Sequence, residues 1–228
     1  MSDVFLFGVL PYVAMMLFFV VTVQRYRMRK YSYSSLSSQF LENRKHFWGS
    51  VPFHYGILAV LVGHVVAFLV PSAILGWNAE PWRLFALEAT GLALGLLTLI
   101  GLVMIVIRRL GSHRLRKVST VGDWVLYALL LVQVVTGVLV AYNHGWGSSW
   151  FATSAAPWLW SLVQLQPDVS YIAPMPFLVK AHIVNAFVLI AFFPFTRLVH
   201  VLVIPNMYLW RRPQVVLWNR KGAAGGDR

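Results

Sequence analysis

Seven histidines occur in this 228-residue chain, and four of them, His54, His64, His182 and His200, stand inside long apolar runs. An imidazole surrounded by hydrocarbon has lost its water partners and is kept there by a hydrogen-bonding or metal partner. His54 and His64 share one run, and His182 and His200 share another. If those runs are helices of opposite direction, His54 meets His200 near one membrane face and His64 meets His182 near the other. Neutral imidazole is an axial donor to haem iron, and facing helices of a bundle can grip a flat macrocycle. The residues alone leave two readings open: two bis-histidine haems at two depths, or a histidine chain that relays protons. His46, His113 and His144 fall between the apolar runs and read as solvated surface residues.

The two spacings do not match in length. The step from His54 to His64 rises about 15 Å along a helix and the step from His182 to His200 about 27 Å, which averages to an iron separation of roughly 21 Å. Tilt and a kink at Pro194 must absorb the difference. At about 100° per residue the longer step returns to the same helix face, whereas the shorter is off by about 80°, so the helix bearing His54 must curl around its cofactors. Gly56 and Gly63 flank this stretch. A residue without a side chain permits close approach of a ring, and it equally permits close helix packing.

The elements that position these residues are five apolar runs, each near the roughly 20 residues needed to cross a bilayer. They are Val4 to Val23, Val51 to Val70, Leu84 to Ile107, Val121 to Ala141, and Pro176 to about Ile204. Asp123 suits the amino end of the fourth. Of the 19 Lys and Arg residues, six lie between the first and second runs (Arg25, Arg27, Arg29, Lys30, Arg44, Lys45). Five lie between the third and fourth (Arg108, Arg109, Arg114, Arg116, Lys117), and five follow the fifth (Arg211, Arg212, Arg220, Lys221, Arg228). The connection Tyr142 to Met175 has no Lys or Arg but carries Trp146, Trp150, Trp158 and Trp160, the pattern of an aromatic segment at the lipid interface. By the positive-inside rule the amino terminus is outside and the carboxyl terminus cytoplasmic. The expected fold is an all-α membrane protein, a bundle of five transmembrane helices in the cytoplasmic (inner) cell membrane. Residues 1–205 form its membrane domain; 206–228 form a cytoplasmic tail available for partner docking, with a frayed end at Gly222 to Gly226.

Composition narrows the classes further. The chain is 59% apolar and 11% charged, against about 25% charged in soluble domains, so its solvent is lipid. The net charge of +12 sits in short clusters at run ends and makes no continuous face for nucleic acid. With no cysteine, disulfides, thiolate-held iron–sulfur clusters and covalent c-type haem attachment are excluded. Met1-Ser2-Asp3 leads straight into apolar sequence and reads as the start of a retained first helix.

Three stretches together resemble a known family. They are Phe53-His54-Tyr55-Gly56-Ile57-Leu58 continuing to Val62-Gly63-His64, His182 followed by Phe193-Pro194-Phe195-Thr196-Arg197-Leu198-Val199-His200, and the Ser38-Gln39 segment. The chain is similar over nearly its whole length to the gamma, cytochrome b subunit of membrane-bound respiratory nitrate reductases. The resemblance implies two b-type haems, with His54 and His200 on the inner iron and His64 and His182 on the outer one. It also implies assembly with an iron–sulfur beta subunit and a molybdenum-containing alpha subunit. Quinol would be oxidised near the outer haem, and electrons would pass through both haems to the iron–sulfur subunit, with no nitrate chemistry on this chain. A basic residue at the start of the third helix would contact quinol oxygen; Arg83 stands there instead of a lysine. Arg83, Glu88, Gly63 and His64 make the candidate quinol set. Arg83 reads equally as an interfacial anchor, and Glu88 as a polar partner of Arg83 or Lys180. Arg197 and Lys180 are candidate contacts for the inner and outer haem propionates, with lipid phosphate as the rival partner.

Other readings keep parts of this scheme. The same cytochrome role would serve a nitrite-oxidising or another quinone-linked complex. A histidine-based proton transporter would be colourless, and an inert anchor would tolerate loss of all four histidines.

Overall fold

The computed structural model describes residues 2–29, 32 and 46–203. Lys30, the Ser38-Gln39 segment, Arg44, Lys45, the basic tail and Gly222 to Gly226 lie outside the described residues. Five helices are long and apolar enough to cross a membrane: α1 (Ser2–Met28), α2 (His46–Leu69), α4 (Pro81–Gly111), α6 (Val121–Asn143) and α9, an α-helix from Phe177 to Phe192 prolonged by a 3-10 turn to Phe195. Shorter helices join them: α3 (Pro71–Asn78), α5 (His113–Lys117), α7 (Gly147–Trp150) and α8 (Ala156–Val163). Local chemistry explains several boundaries. Pro71 and Pro81 open α3 and α4 at first-turn positions where a missing N–H costs nothing. Thr120 and Asp123 cap α6 reciprocally, each side chain accepting from the other's backbone N–H.

The extensive helix packings are α2 on α4, α4 on α6, α6 on α9 and α9 on α1. Close approach of α2 and α4 depends on glycine. A Cβ at Gly56 would lie 2.8 Å from the Leu94 carbonyl, and one at Gly101 would lie 2.8 Å from the Phe53 Cα. Gly56 is therefore a helix-packing residue, whereas a Cβ at Gly63 would meet nothing within 4 Å. Much of the outer surface is apolar, with Phe177 84% and Phe85 74% exposed. So large an uncovered apolar face fits contact with lipid.

The connection between α6 and α9 departs from an aromatic strip lying on the interface. It folds into α7, a π-turn (Phe151–Ala155), α8 and a 3-10 turn (Val169–Tyr171). Trp158 is 1% exposed, packs edge-on against Phe7 and Phe187, and donates its indole N–H to the Phe7 carbonyl. Trp160 stacks on Phe68 and donates to its carbonyl, and the Tyr12 hydroxyl donates to Leu162 O. The Trp158 bond is buried and the Trp160 bond exposed, so Trp158 plugs the connection into one end of the bundle while Trp160 stays at its surface.

The fifth apolar run is also not one helix. Its α-helical part stops at Phe192, Phe193–Phe195 form a 3-10 turn around Pro194, Thr196 is extended (φ −110°, ψ −178°), and Arg197–Val203 form a second 3-10 segment. Proline has no N–H to continue the ladder, so the expected kink becomes a break.

Candidate functional site

Three of the four intramembrane histidines are tethered in the same way. His54 Nδ1 lies 2.7 Å from Ser50 O, His64 Nδ1 2.8 Å from Val60 O, and His200 Nδ1 2.6 Å from Arg197 O. A carbonyl only accepts, so each Nδ1 carries a proton, and in the neutral imidazole that leaves the lone pair on Nε2. That is the tautomer a metal ligand needs, with the orienting hydrogen bond already in place.

The His54 and His200 rings are brought together with centroids 6.4 Å apart. With metal–nitrogen bonds of about 2 Å and about 1 Å from nitrogen to ring centre, two imidazoles on one metal have centres about 6 Å apart. The separation of the two ring centres is close to that value. Among the described residues no group of three or more His, Cys or carboxylate side chains could hold a metal ion. A haem would ask less of the protein, since the macrocycle would supply the other donors and two histidine side chains would hold it.

At the other end, His64 lies edge-on to Phe151. His182 is held by α6. Thr136 gives its hydroxyl proton to Val132 O at 2.6 Å, so its oxygen accepts from His182 Nδ1 at 3.0 Å. Asn185 donates to Gln133 Oε1 at 2.7 Å, which turns the Gln133 amide N–H toward His182 Nε2 at 3.1 Å. For His182 to ligate iron, that amide must swing off Nε2. A Cβ at Gly137 would lie 2.9 Å from His182 Cε1, so glycine makes room for the ring. Gln133, Thr136, Gly137 and Asn185 escaped the sequence reading. The signal for Gln133 and Thr136 was two polar residues one turn apart inside an apolar run, and for Asn185 an amide inside another; Gly137 gave none.

The other candidate residues find specific partners. Glu88 accepts from Gly147 N, Ser148 N and the Ser148 hydroxyl, at 3.1, 2.9 and 2.7 Å. It thus ties α4 to the start of α7, a different partnership from the expected one with Arg83 or Lys180. Trp146, just before, has a left-handed backbone (φ 64°), a conformation costing about 1–2 kcal/mol for an L residue. Arg83 pairs loosely with Glu80 at 3.9 Å and lies over the Trp77 ring, while its Nε is buried without a partner. Lys180 forms a 2.9 Å ion pair with Asp3 and sits over Phe7. Arg197 binds Asp123 with two nitrogens, at 2.8 and 2.9 Å. His113 is exposed. His144 instead lines a cavity of about 190 Å³ with Gly145, Trp150, Met175, Pro176 and Val179.

Comparison with known proteins gives one consistent result. Residues 3–219 match the model of the nitrate reductase gamma subunit. The chain is 34% identical over 215 residues to the nitrate reductase gamma chain of Bacillus subtilis (strain 168), covering 92% of this chain and 96% of that one. It is 33% identical over 224 residues to the respiratory nitrate reductase 1 gamma chain of Escherichia coli (strain K12), covering 94% and 96%. The nitrate reductase-like protein NarX of Mycobacterium tuberculosis (strain ATCC 25618 / H37Rv) is 32% identical over 219 residues, which cover 93% of this chain and 33% of that protein.

Proposed function

The chain belongs to the nitrate reductase gamma subunit family, and from that premise we propose that it is the dihaem b, quinol-oxidising membrane subunit of a respiratory nitrate reductase. His54 and His200 would hold one haem and His64 and His182 the other. Bound haem supplies a one-electron carrier at each level. The observation that carries this reading is the set of Nδ1-tethered imidazoles, with His54 and His200 spaced for one metal between them.

Quinol would dock at the His64 and His182 end, among Gly63, His64, Arg83 and Glu88, and its oxidation to quinone releases two electrons and two protons. The unpartnered Arg83 Nε offers a donor to a quinol oxygen. Lys180 and Arg197, already paired with Asp3 and Asp123, are the cations offered to haem propionates at the two ends. The opposite end, next to the basic stretches of the sequence, would face the cytoplasm, with the amino terminus outside, as the positive-inside rule favours. There the remaining subunits, an iron–sulfur protein and a molybdenum protein, would receive the electrons.

The test is anaerobic mixing of the purified complex with menadiol. The expected result is a reduced b-type absorbance that nitrate then discharges. Absorbance that responds to dithionite but never to menadiol would contradict quinol oxidation, and a colourless protein would favour the proton relay.

A further inference from the structure

We propose that Asp123 is a positioning residue for the axial ligand His200, acting through Arg197; this rests on the haem reading above. His200 does not ride on a continuous helix. The break at Pro194 and Thr196 separates the Arg197–Val203 segment from α9, so the α-helical ladder that orients His182 does not reach His200. Contacts from other elements must fix it instead.

Two clamps do so. From α1, Arg25 donates to the Pro194 and Thr196 carbonyls on the two sides of the break. From α6, Asp123 grips the Arg197 guanidinium with both oxygens, and Arg197 also donates to Val118 O at 3.2 Å. The Arg197 carbonyl in turn receives the His200 Nδ1–H. Backbone and side chain of one residue thus join a carboxylate on α6 to an imidazole on another segment.

Asp123 is itself immobilised. It is 6% exposed, accepts from Thr120 N in the α6 cap, and lies 3.8 Å from Arg109, which donates to the Ser119 hydroxyl and rests over the Tyr127 ring. A planar two-nitrogen grip on a buried carboxylate fixes direction as well as distance. Removing the carboxylate takes the counter-charge from the buried Arg109 and from the half-buried Arg197, and the Arg197 segment, set off by the break, is the part freest to move.

The experiment is an optical and EPR redox titration of the whole purified complex, with the haem of His64 and His182 as internal standard. Asp123→Ala is expected to convert the His54 and His200 haem from low spin to high spin, or to lose it, with the other haem unchanged. Asp123→Asn keeps an acceptor and removes the charge; it is expected to retain low spin and raise that haem's midpoint potential alone. Arg197→Lys, which keeps the charge without the planar fork, should broaden the same low-spin signal. Wild-type spectra and potentials in Asp123→Ala would overturn the proposal. If that variant does not assemble, an unshifted midpoint in Asp123→Asn overturns it. Fewer than two haems in the wild-type complex would instead sink the haem reading before any variant is compared.

Discussion

The two ends of the bundle hold their histidine pairs by different means. At the end bearing His54 and His200, both rings are turned by backbone carbonyls and the ring centres already stand 6.4 Å apart. At the end bearing His64 and His182, one ring has the same tether, but the other is held by the α6 side chains Thr136 and Gln133. The first pair sits beside charged clamps, Arg25 and the Asp123–Arg197 grip, because its segment lost helical continuity at Pro194. The second sits under a packed aromatic connection and beside a Glu88 tie. A ligand on a continuous helix needs only its neighbours to shape its ring; a ligand beyond a break needs the rest of the bundle to place its backbone.

The comparison breaks most visibly if the pairs are wrong. Replacing His54 or His200 with Ala should remove one haem signal, and replacing His64 or His182 the other, each about half of the total absorbance. A crosswise pattern, in which His54 and His182 variants lose the same signal, would refute the pairing. Next in size is Trp158→Ala, which empties a buried indole site and is expected to cost about 3–5 kcal/mol. Because Trp158 seals only the His64 and His182 end, thermal bleaching should strike that haem first; equal bleaching of both would show that the ends are not separable. The smallest effect is Gly137→Ala. Its methyl would press on His182 Cε1, an overpacking of about 1–3 kcal/mol, and should shift the g values of the low-spin EPR signal of the His182 haem alone.

Much of this was legible from residue types. Each of the five apolar runs yields a helix long and apolar enough to cross a membrane, the fifth only as far as Phe195, because length and hydropathy decide that outcome without tertiary detail. His54 and His200 came together because antiparallel helices put the early residues of one beside the late residues of the other. What stayed hidden depended on side-chain direction. Glu88 finds Gly147 and Ser148, residues of a connection whose fold has no strong periodic signal. Asp123 was readable as a helix cap, but its grip on Arg197 requires knowing that the chain breaks after Pro194. Gln133 and Asn185 stood in plain view as polar residues within spans, yet only their hydrogen bonds show that they act on His182. Lipid-facing and core apolar residues read alike, which is why Trp158 passed for an interfacial aromatic.

The central claim meets its most direct test in the haem content of the gently solubilised chain with its partner subunits. Two low-spin b-type haems per chain, by pyridine haemochrome assay and EPR, is the result this account requires. One haem would leave a histidine pair without its assigned role, and none would contradict the account altogether.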